Sequence, residues 1–420
     1  MIDYILVPRK PIEETLSLAS LARGQARERV VATADGFASD ASRILQGRGL
    51  QEQHPQQVVG LEGPRYTRLP HAGVIVASFE NKNVAETTAA DLPEYQFVPD
   101  IELSLPGNGT DQGVNLTGDS GEKWPNDSGV GHAHSQGIRG RGALVGVLDT
   151  GCDADHEEHL RPIRIFRFIP LSVQGYREVR GFDTDGHGTH VCGIIAGQLR
   201  GVAPDATLWV ASVIESETTH TSLRRVLAGL DWLAMVFSRP ENREWPAIVN
   251  MSLGFLDSQL SGPDLNLVRI ALRQVFKTFV QNLDILPIVA IGNDGAGSVR
   301  APAYFPEALA VGAVDFSLQS PNFSGGGPSP VNSSITKPDI AGFGVGVLSS
   351  YERDHRGTSY YMKLSGTSMA TAYVTGIAAL YASSDRALSG STLKDKVLGT
   401  ALSLPHPANR VGKGLARFKE

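Results

Sequence analysis

The sequence predicts an α/β fold, a doubly wound and mostly parallel sheet with helices on both faces, preceded by a small α+β N-terminal unit. Three observations lead there. From about residue 140 onward, short runs of almost wholly apolar residues alternate with helical stretches. Strands that read apolar throughout, instead of alternating, belong to sheets buried on both faces. Before residue 106 the texture differs, with short strand-like runs set between polar helical ones. Between the two lies 107–121, rich in Gly, Asn, Asp, Ser and Thr and nearly free of apolar periodicity. The chain therefore divides into 1–105, a linker and entry segment 106–130, and a main domain 131–420.

Each element follows from its local pattern. In the first unit, 4–7 and 73–79 read as strands, 12–48 and 83–92 as helices, and 95–101 as a further strand broken by Pro99. In the main domain the strand candidates are 143–148, 208–213, 247–251, 285–291 and 308–314. Helices are expected over 190–197, 222–237, 265–282 and 372–380, with Asp264 as the N-cap of the third.

Composition narrows the function. A chain of 420 residues with 41% hydrophobic and 20% charged residues can bury a sizeable core. A formal charge of -6 gives no global attraction to phosphate backbones or anionic lipid, which argues against nucleic-acid and membrane partners. No apolar run approaches the roughly 20 residues that span a bilayer. Asp3, Arg9 and Lys10 stand where a secretory leader would place its apolar segment, so a cytoplasmic protein is expected, with unconventional export left open. Cys152 and Cys192 are the only cysteines and read as free thiols packed near the site. The glycosylation-type triplets at Asn108, Asn115 and Asn322 read as chance in the absence of secretion.

Three motifs carry chemistry. The strand over 143–148 runs into Asp149-Thr150-Gly151, a carboxylate at the carboxyl edge of a parallel sheet, where such folds place their sites. Taken alone, that is also the composition of a turn. Asp185-Gly186-His187-Gly188-Thr189-His190 opens a helix of small residues, and the glycines beside His187 allow a carboxylate and a nucleophile to approach it closely. His187 and His190, three apart, also suit a metal, but no HExxH-type acid accompanies them. Ser365-Gly366-Thr367-Ser368-Met369-Ala370-Thr371 enters the last long helix and sets the Ser368 hydroxyl where backbone N–H groups favour negative charge. A lone serine there would be an ordinary cap; with the other two motifs it reads as a nucleophile.

In order and context these motifs resemble the subtilisin family, and the resemblance extends through Asn250-Met251-Ser252-Leu253-Gly254, Ile291-Gly292-Asn293-Asp294-Gly295 and Pro302-Ala303-Tyr304-Phe305-Pro306. It covers roughly residues 130 to 385. It implies a subtilisin-like serine endopeptidase that hydrolyses extended protein or peptide substrates through an acyl-enzyme on Ser368. His187 would move the proton and Asp149 orient the imidazole. Asn293 would serve the oxyanion hole, and Ser252, Leu253, Gly254 and Gly292 would bind substrate. Arg300 falls at the floor of the pocket for the residue before the scissile bond, which implies a preference for Asp or Glu; whether Asp294 neutralises it stays open.

The departures matter as well. Ala372 and Tyr373 replace the Pro-His that usually follows Thr371, and 197–204 lacks the Asn-containing insertion that serves the family's tight calcium site. No cofactor is expected to be required, and no metal ligand set is assigned. A weak calcium site elsewhere stays open, although Asp315 and Asp339 carry no ligand spacing. In the first unit, 73–101 resembles the second half of the propeptide domain of many subtilisins. That implies an intramolecular inhibitor whose tail, near 100–106, fills the cleft until the linker is cut; the competing reading is a permanent substrate-recruiting domain. Two other function classes compete, a peptide ligase using the same three residues and a non-catalytic binding module. The second would show a lost triad residue or a lost Asn293, and neither is seen.

Overall fold

Two-residue alternation builds the N-terminal sheet of the computed structural model, which describes residues 1–10, 23–54, 63–106, 124–159, 164–168, 176–216 and 218–420. Strand β1 (Ile2–Pro8) is followed by α1 (Arg23–Gly47), β2 (Gln51–Glu52), β3 (Arg65–Leu69), β4 (Val74–Phe79), α2 (Lys82–Asp91) and β5 (Tyr95–Pro99). The strands form one sheet in the order β2-β3-β4-β1-β5, with β1 antiparallel to both neighbours. Successive side chains of a strand leave on opposite faces. Leu6, Ile75, Ala77 and Phe79 therefore pack under α1 and α2, against Ala41, Leu45 and Ala85. Ile5, Val7, Val74, Val76 and Val98 leave on the other face and join the core of the main domain.

The chain continues through β6 (Glu102–Leu103), α3 (Val130–Ser135), β7 (Leu144–Asp149), β8 (Arg164–Phe168), β9 (Tyr176–Arg180), α4 (His187–Ala196), β10 (Thr207–Ser212), β11 (Thr221–Ser222), α5 (Leu223–Phe237) and β12 (Ala247–Met251). Then come α6 (Gly262–Lys277), β13 (Ile285–Ala290), β14 (Leu309–Val314), β15 (Gly327–Ser329), β16 (Asn332–Lys337), β17 (Ile340–Phe343), β18 (Val347–Tyr351), β19 (Tyr360–Leu364), α7 (Thr367–Ser384) and α8 (Gly390–Gly399). The main sheet has the order β17-β14-β13-β12-β7-β10-β8-β9. Every neighbouring pair is parallel except β8 with β9. Strands β7, β12, β13 and β14 are buried along their whole length, because α4 and α7 cover one face and α5 and α6 the other. The chain leaves β7, adds β10 on one side, then returns to add β12 on the other. Open α/β sheets form their sites at such a switch point, beyond the carboxyl ends of the strands.

Three expectations are corrected. Helix α4 begins at His187, three residues early, because Gly186 (φ 100) turns the chain into it. Helix α7 begins at Thr367, so Ser368 already lies in its first turn. Ser261, not Asp264, is the N-cap of α6: its backbone is extended, Pro263 sits in the first turn, and its hydroxyl donates to Asp264 Oδ2 at 2.8 Å. The linker expected over 106–130 falls, at 107–123, outside the described residues.

The N-terminal sheet is also joined to the main domain by a buried carboxylate on α5. Asp231 Oδ1 accepts from His71 N at 2.7 Å and Ala72 N at 2.9 Å. Burial raises the Asp231 carboxyl to about 7, which the two N–H donors only partly offset. A carboxyl raised from an ordinary 3.8 favours the assembled state at low pH, and that contribution is lost as pH rises through about 7. His71, whose Nδ1 lies 3.8 Å away, is lowered by burial to about 4 and acts with the opposite sign, losing its contribution as pH falls through that value. Thermal unfolding of Asp231→Asn beside the parent isolates the first effect. The variant's Tm relative to the parent should climb between about pH 4 and 7 and then level off. A difference constant across that window would sink the assignment.

Candidate active site

Strand β7 delivers Asp149 to the switch point, and two short contacts fix its carboxylate. Thr150 N donates to Oδ1 at 2.8 Å, and His187 Nδ1 lies 2.7 Å from the same oxygen. Both side chains are fully buried. With Nδ1–H given to the carboxylate, Nε2 is left with the lone pair that a general base needs. This approach depends on glycine. A Cβ on Gly188 would stand 2.2 Å from Gly151 O, so only a bare backbone lets α4 begin against the Asp149 loop. Gly188 N donates to Thr150 Oγ1 at 2.9 Å and joins the two segments. Asp183 accepts from Thr189 N at 2.7 Å and from Thr189 Oγ1 at 2.6 Å, placing an acid at the positive end of α4.

Helix α7 packs against α4 and carries Ser368 into the same buried region. Among the described residues Ser368 Oγ has no hydrogen-bond partner. Its backbone N–H belongs to the first turn of α7, where amides lack intrahelical acceptors. Asn293 follows β13 and is oriented by α7 itself: Oδ1 accepts from Thr367 N at 2.9 Å and from Thr367 Oγ1 at 2.8 Å. That turns Nδ2 toward Gly366. An ideal Cβ on Gly366 would lie 3.2 Å from Asn293 Nδ2 and 3.8 Å from Ser368 N, between the two donors that an oxyanion would use. The Gly366 backbone is extended (φ 167, ψ 161), so its lack of a side chain matters for space and not for backbone freedom. Gly366→Ala should therefore lower kcat about as much as Asn293→Leu, roughly 100 to 1,000-fold, while leaving Tm within a few degrees. A Gly366→Ala enzyme within threefold of the parent in kcat would refute this reading.

His190 is no part of this machinery. Its Nε2 lies 3.1 Å from Val347 O and 2.9 Å from Met362 O, and burial pushes its pKa down to about 3. A nitrogen that must donate to carbonyl oxygens is not a metal ligand. Among the described residues no group of three or more His, Cys, Asp or Glu side chains is placed to hold a metal ion. Cys152 and Cys192 are buried free thiols; burial, then the neighbouring Cys192, pushes the Cys152 thiol well up.

The tail of the N-terminal unit runs between β11 and Ser252-Leu253-Gly254. Strand β6 pairs antiparallel with β11, Leu103 opposite Thr221 and Glu102 opposite Ser222. Ser104 and Gly254 exchange both backbone hydrogen bonds, at 3.2 and 3.0 Å. A Cβ on Gly254 would meet Ala301 O at 2.2 Å, which keeps this edge flat. Leu103, Leu105 and Pro106 are buried.

Arg300 reaches Ser104 and Gly254, but not as an uncompensated cation. Its Nε and Nη2 donate to Asp294 at 2.7 and 2.9 Å, and its Nη1 donates to Ser104 Oγ at 3.1 Å. Gly292 (φ 107) makes room for this pair, since a Cβ there would stand 2.8 Å from Asp294 Oδ2 and 2.9 Å from Arg300 Cγ. Of the alternatives open in the sequence, neutralisation by Asp294 is the one present. Ser222, expected as the first residue of the helix over 222–237, instead ends β11, because a Ser before an apolar periodic run is also the usual composition of a helix start. Asp183 was missed too; an Asp four residues before a helical His is the signal that could have found it.

A mostly parallel sheet, a buried Asp–His pair at its switch point and a serine at a neighbouring helix N-terminus define a class, the α/β serine hydrolases. The chain belongs to the subtilase family, whose model matches residues 140–414, and it is a serine endopeptidase. It is 44% identical over 375 residues to the subtilisin-like protease PopC of Myxococcus xanthus, covering 86% of this chain and 78% of that protein. It is 35% identical over 288 residues to a thermostable alkaline protease of Halalkalibacterium halodurans, covering 67% of this chain and 68% of the other. Subtilisin Savinase of Lederbergia lenta is 32% identical over 288 residues, covering 67% of this chain and 91% of that one.

Proposed function

We propose that the chain cuts extended polypeptides through an acyl-enzyme on Ser368 and that its own N-terminal unit closes the cleft until the linker is cut. In this reading Ser368 Oγ attacks the scissile carbonyl while His187 Nε2 takes its proton. Asp149 holds the imidazole and stabilises its charged form. Asn293 Nδ2 and Ser368 N receive the oxyanion, and His187 returns the proton to the leaving amine. The observation that carries the inhibitory part is the pairing of residues 102–104 as the strand between β11 and Gly254, the place an extended substrate would take.

Intact mass of the wild-type chain beside Ser368→Ala, followed by a fluorophosphonate probe, tests it. Wild type should shorten within 107–123 and take the label, and Ser368→Ala should do neither. A wild-type chain that remains full length yet labels would keep the nucleophile and remove self-processing. Absence of both cutting and labelling would overturn the assignment.

The acidic preference that the family resemblance implies for Arg300 is conditional in our reading, because Asp294 already matches its charge. Asp294→Asn should raise kcat/KM for substrates with Asp or Glu before the scissile bond, relative to neutral ones, by about tenfold. An unchanged ratio would show that Arg300 does not select at that position.

A further inference from the structure

Helix α1 meets the main domain at a second place, remote from the cleft, through arginines four residues apart. Arg27 is fully buried, and its guanidinium is met by backbone carbonyls alone: Nε donates to Leu283 O at 2.8 Å, and Nη1 to Phe237 O at 2.9 Å and Arg243 O at 3.1 Å. Arg23, one turn earlier on the same face, donates from Nε to Asp284 Oδ2 at 3.0 Å, from Nη1 to Glu244 O at 2.9 Å, and from Nη2 to Ser389 Oγ at 2.8 Å and Arg386 O at 3.2 Å. Gly24 lies between them with no side chain to hold α1 away from the turn that follows α5, since a Cβ there would stand 2.3 Å from Glu244 Oε1.

Phe237 is the last residue of α5, and the first residue of α5 faces the cleft. There Leu223 N donates to Ile101 O at 2.8 Å and Arg224 N to Asp100 Oδ1 at 2.9 Å. The 15 residues of α5 span about 22 Å. The N-terminal unit thus puts an acid at the positive end of α5 and a guanidinium at its negative end, satisfying orphan groups at both.

We propose that the surface formed by Phe237, Arg243, Glu244, Leu283, Asp284 and Ser389 is a guanidinium site for a helix bearing arginines four residues apart. Occupied by α1, it keeps the N-terminal unit on the enzyme after its tail has left the cleft. This rests on the reading of the tail as inhibitor. It makes release a two-stage event: cutting the linker frees the tail, and the Arg23–Arg27 anchor, added to the apolar face and the Asp231 contact already described, delays the unit's departure. Another protein with the same arginine spacing on a helix would compete for the surface once it is bare.

The test uses the full chain carrying Ser368→Ala, with a recognition sequence for an unrelated protease inserted within 107–123 and cut by that protease. The two pieces should co-elute in size-exclusion chromatography. Arg27→Ala and Asp284→Asn should each speed their separation about tenfold to a hundredfold, with Arg27→Lys falling between. Asp284→Asn leaves the buried guanidinium in place and reports on the same surface should Arg27→Ala fail to fold. Release rates unchanged in both variants, or a nicked parent that separates at once, would overturn the anchor. Peptidase activity of the Ser368 enzyme before and after the same nick tells this result apart from failure of the inhibitory reading: activity already full in the uncut chain would sink inhibition and leave the anchor standing.

Discussion

Ser368→Ala is expected to reduce peptide hydrolysis by about 10^6-fold with the fold intact. The hydroxyl is buried at the first turn of α7 and hydrogen-bonds to none of the described residues, so its removal takes away a reacting atom and no stabilising contact. Because Ser368 and His187 would act as one unit, His187→Ala should cost a similar factor, and the double variant little more than either alone. Binding should change far less, since the strand edges at Gly254 and β11, where an extended substrate would pair, are backbone and remain. The measurement is kcat and KM for a short peptide, made on enzyme freed of its N-terminal unit. Losses that simply multiply in the double variant would mean that the two residues act independently and would refute the nucleophile–base assignment.

Asp149→Asn should cost about 10^4-fold in kcat, with KM nearly unchanged. Oδ1 now receives both Thr150 N and His187 Nδ1. An amide in place of the carboxylate can turn an N–H toward His187, which moves the ring proton to Nε2 and leaves no lone pair facing Ser368. It also removes the negative charge that stabilises the imidazolium as the proton is transferred. Near-normal Tm together with the lost rate separates this effect from misfolding. A loss below tenfold would show that Asp149 is only a structural partner of Thr150.

Much of this site was legible in the linear chain because its chemistry is local. Asp149 ends an apolar strand, His187 stands between glycines at a helix start, and Ser368 sits in a small-residue string at another, so each is marked by residues one or two positions away. The apolar runs of the main domain likewise announced a sheet covered on both faces, since period and burial follow from the strand itself. Residues whose roles come from distant partners were not legible. The charge on Arg300 is matched by where Asp294 turns, and Thr221 and Ser222 form a strand only because Glu102 and Leu103 pair with them. Arg27 reads as one more charge on a polar helix until three carbonyls, from Phe237, Arg243 and Leu283, close around it. Sequence pattern records what each residue does to its neighbours along the chain. Which backbone groups converge on a side chain from more than 200 residues away is decided only when the sheets and helices pack, and in this protein that packing also lays residues 102–104 between β11 and Gly254.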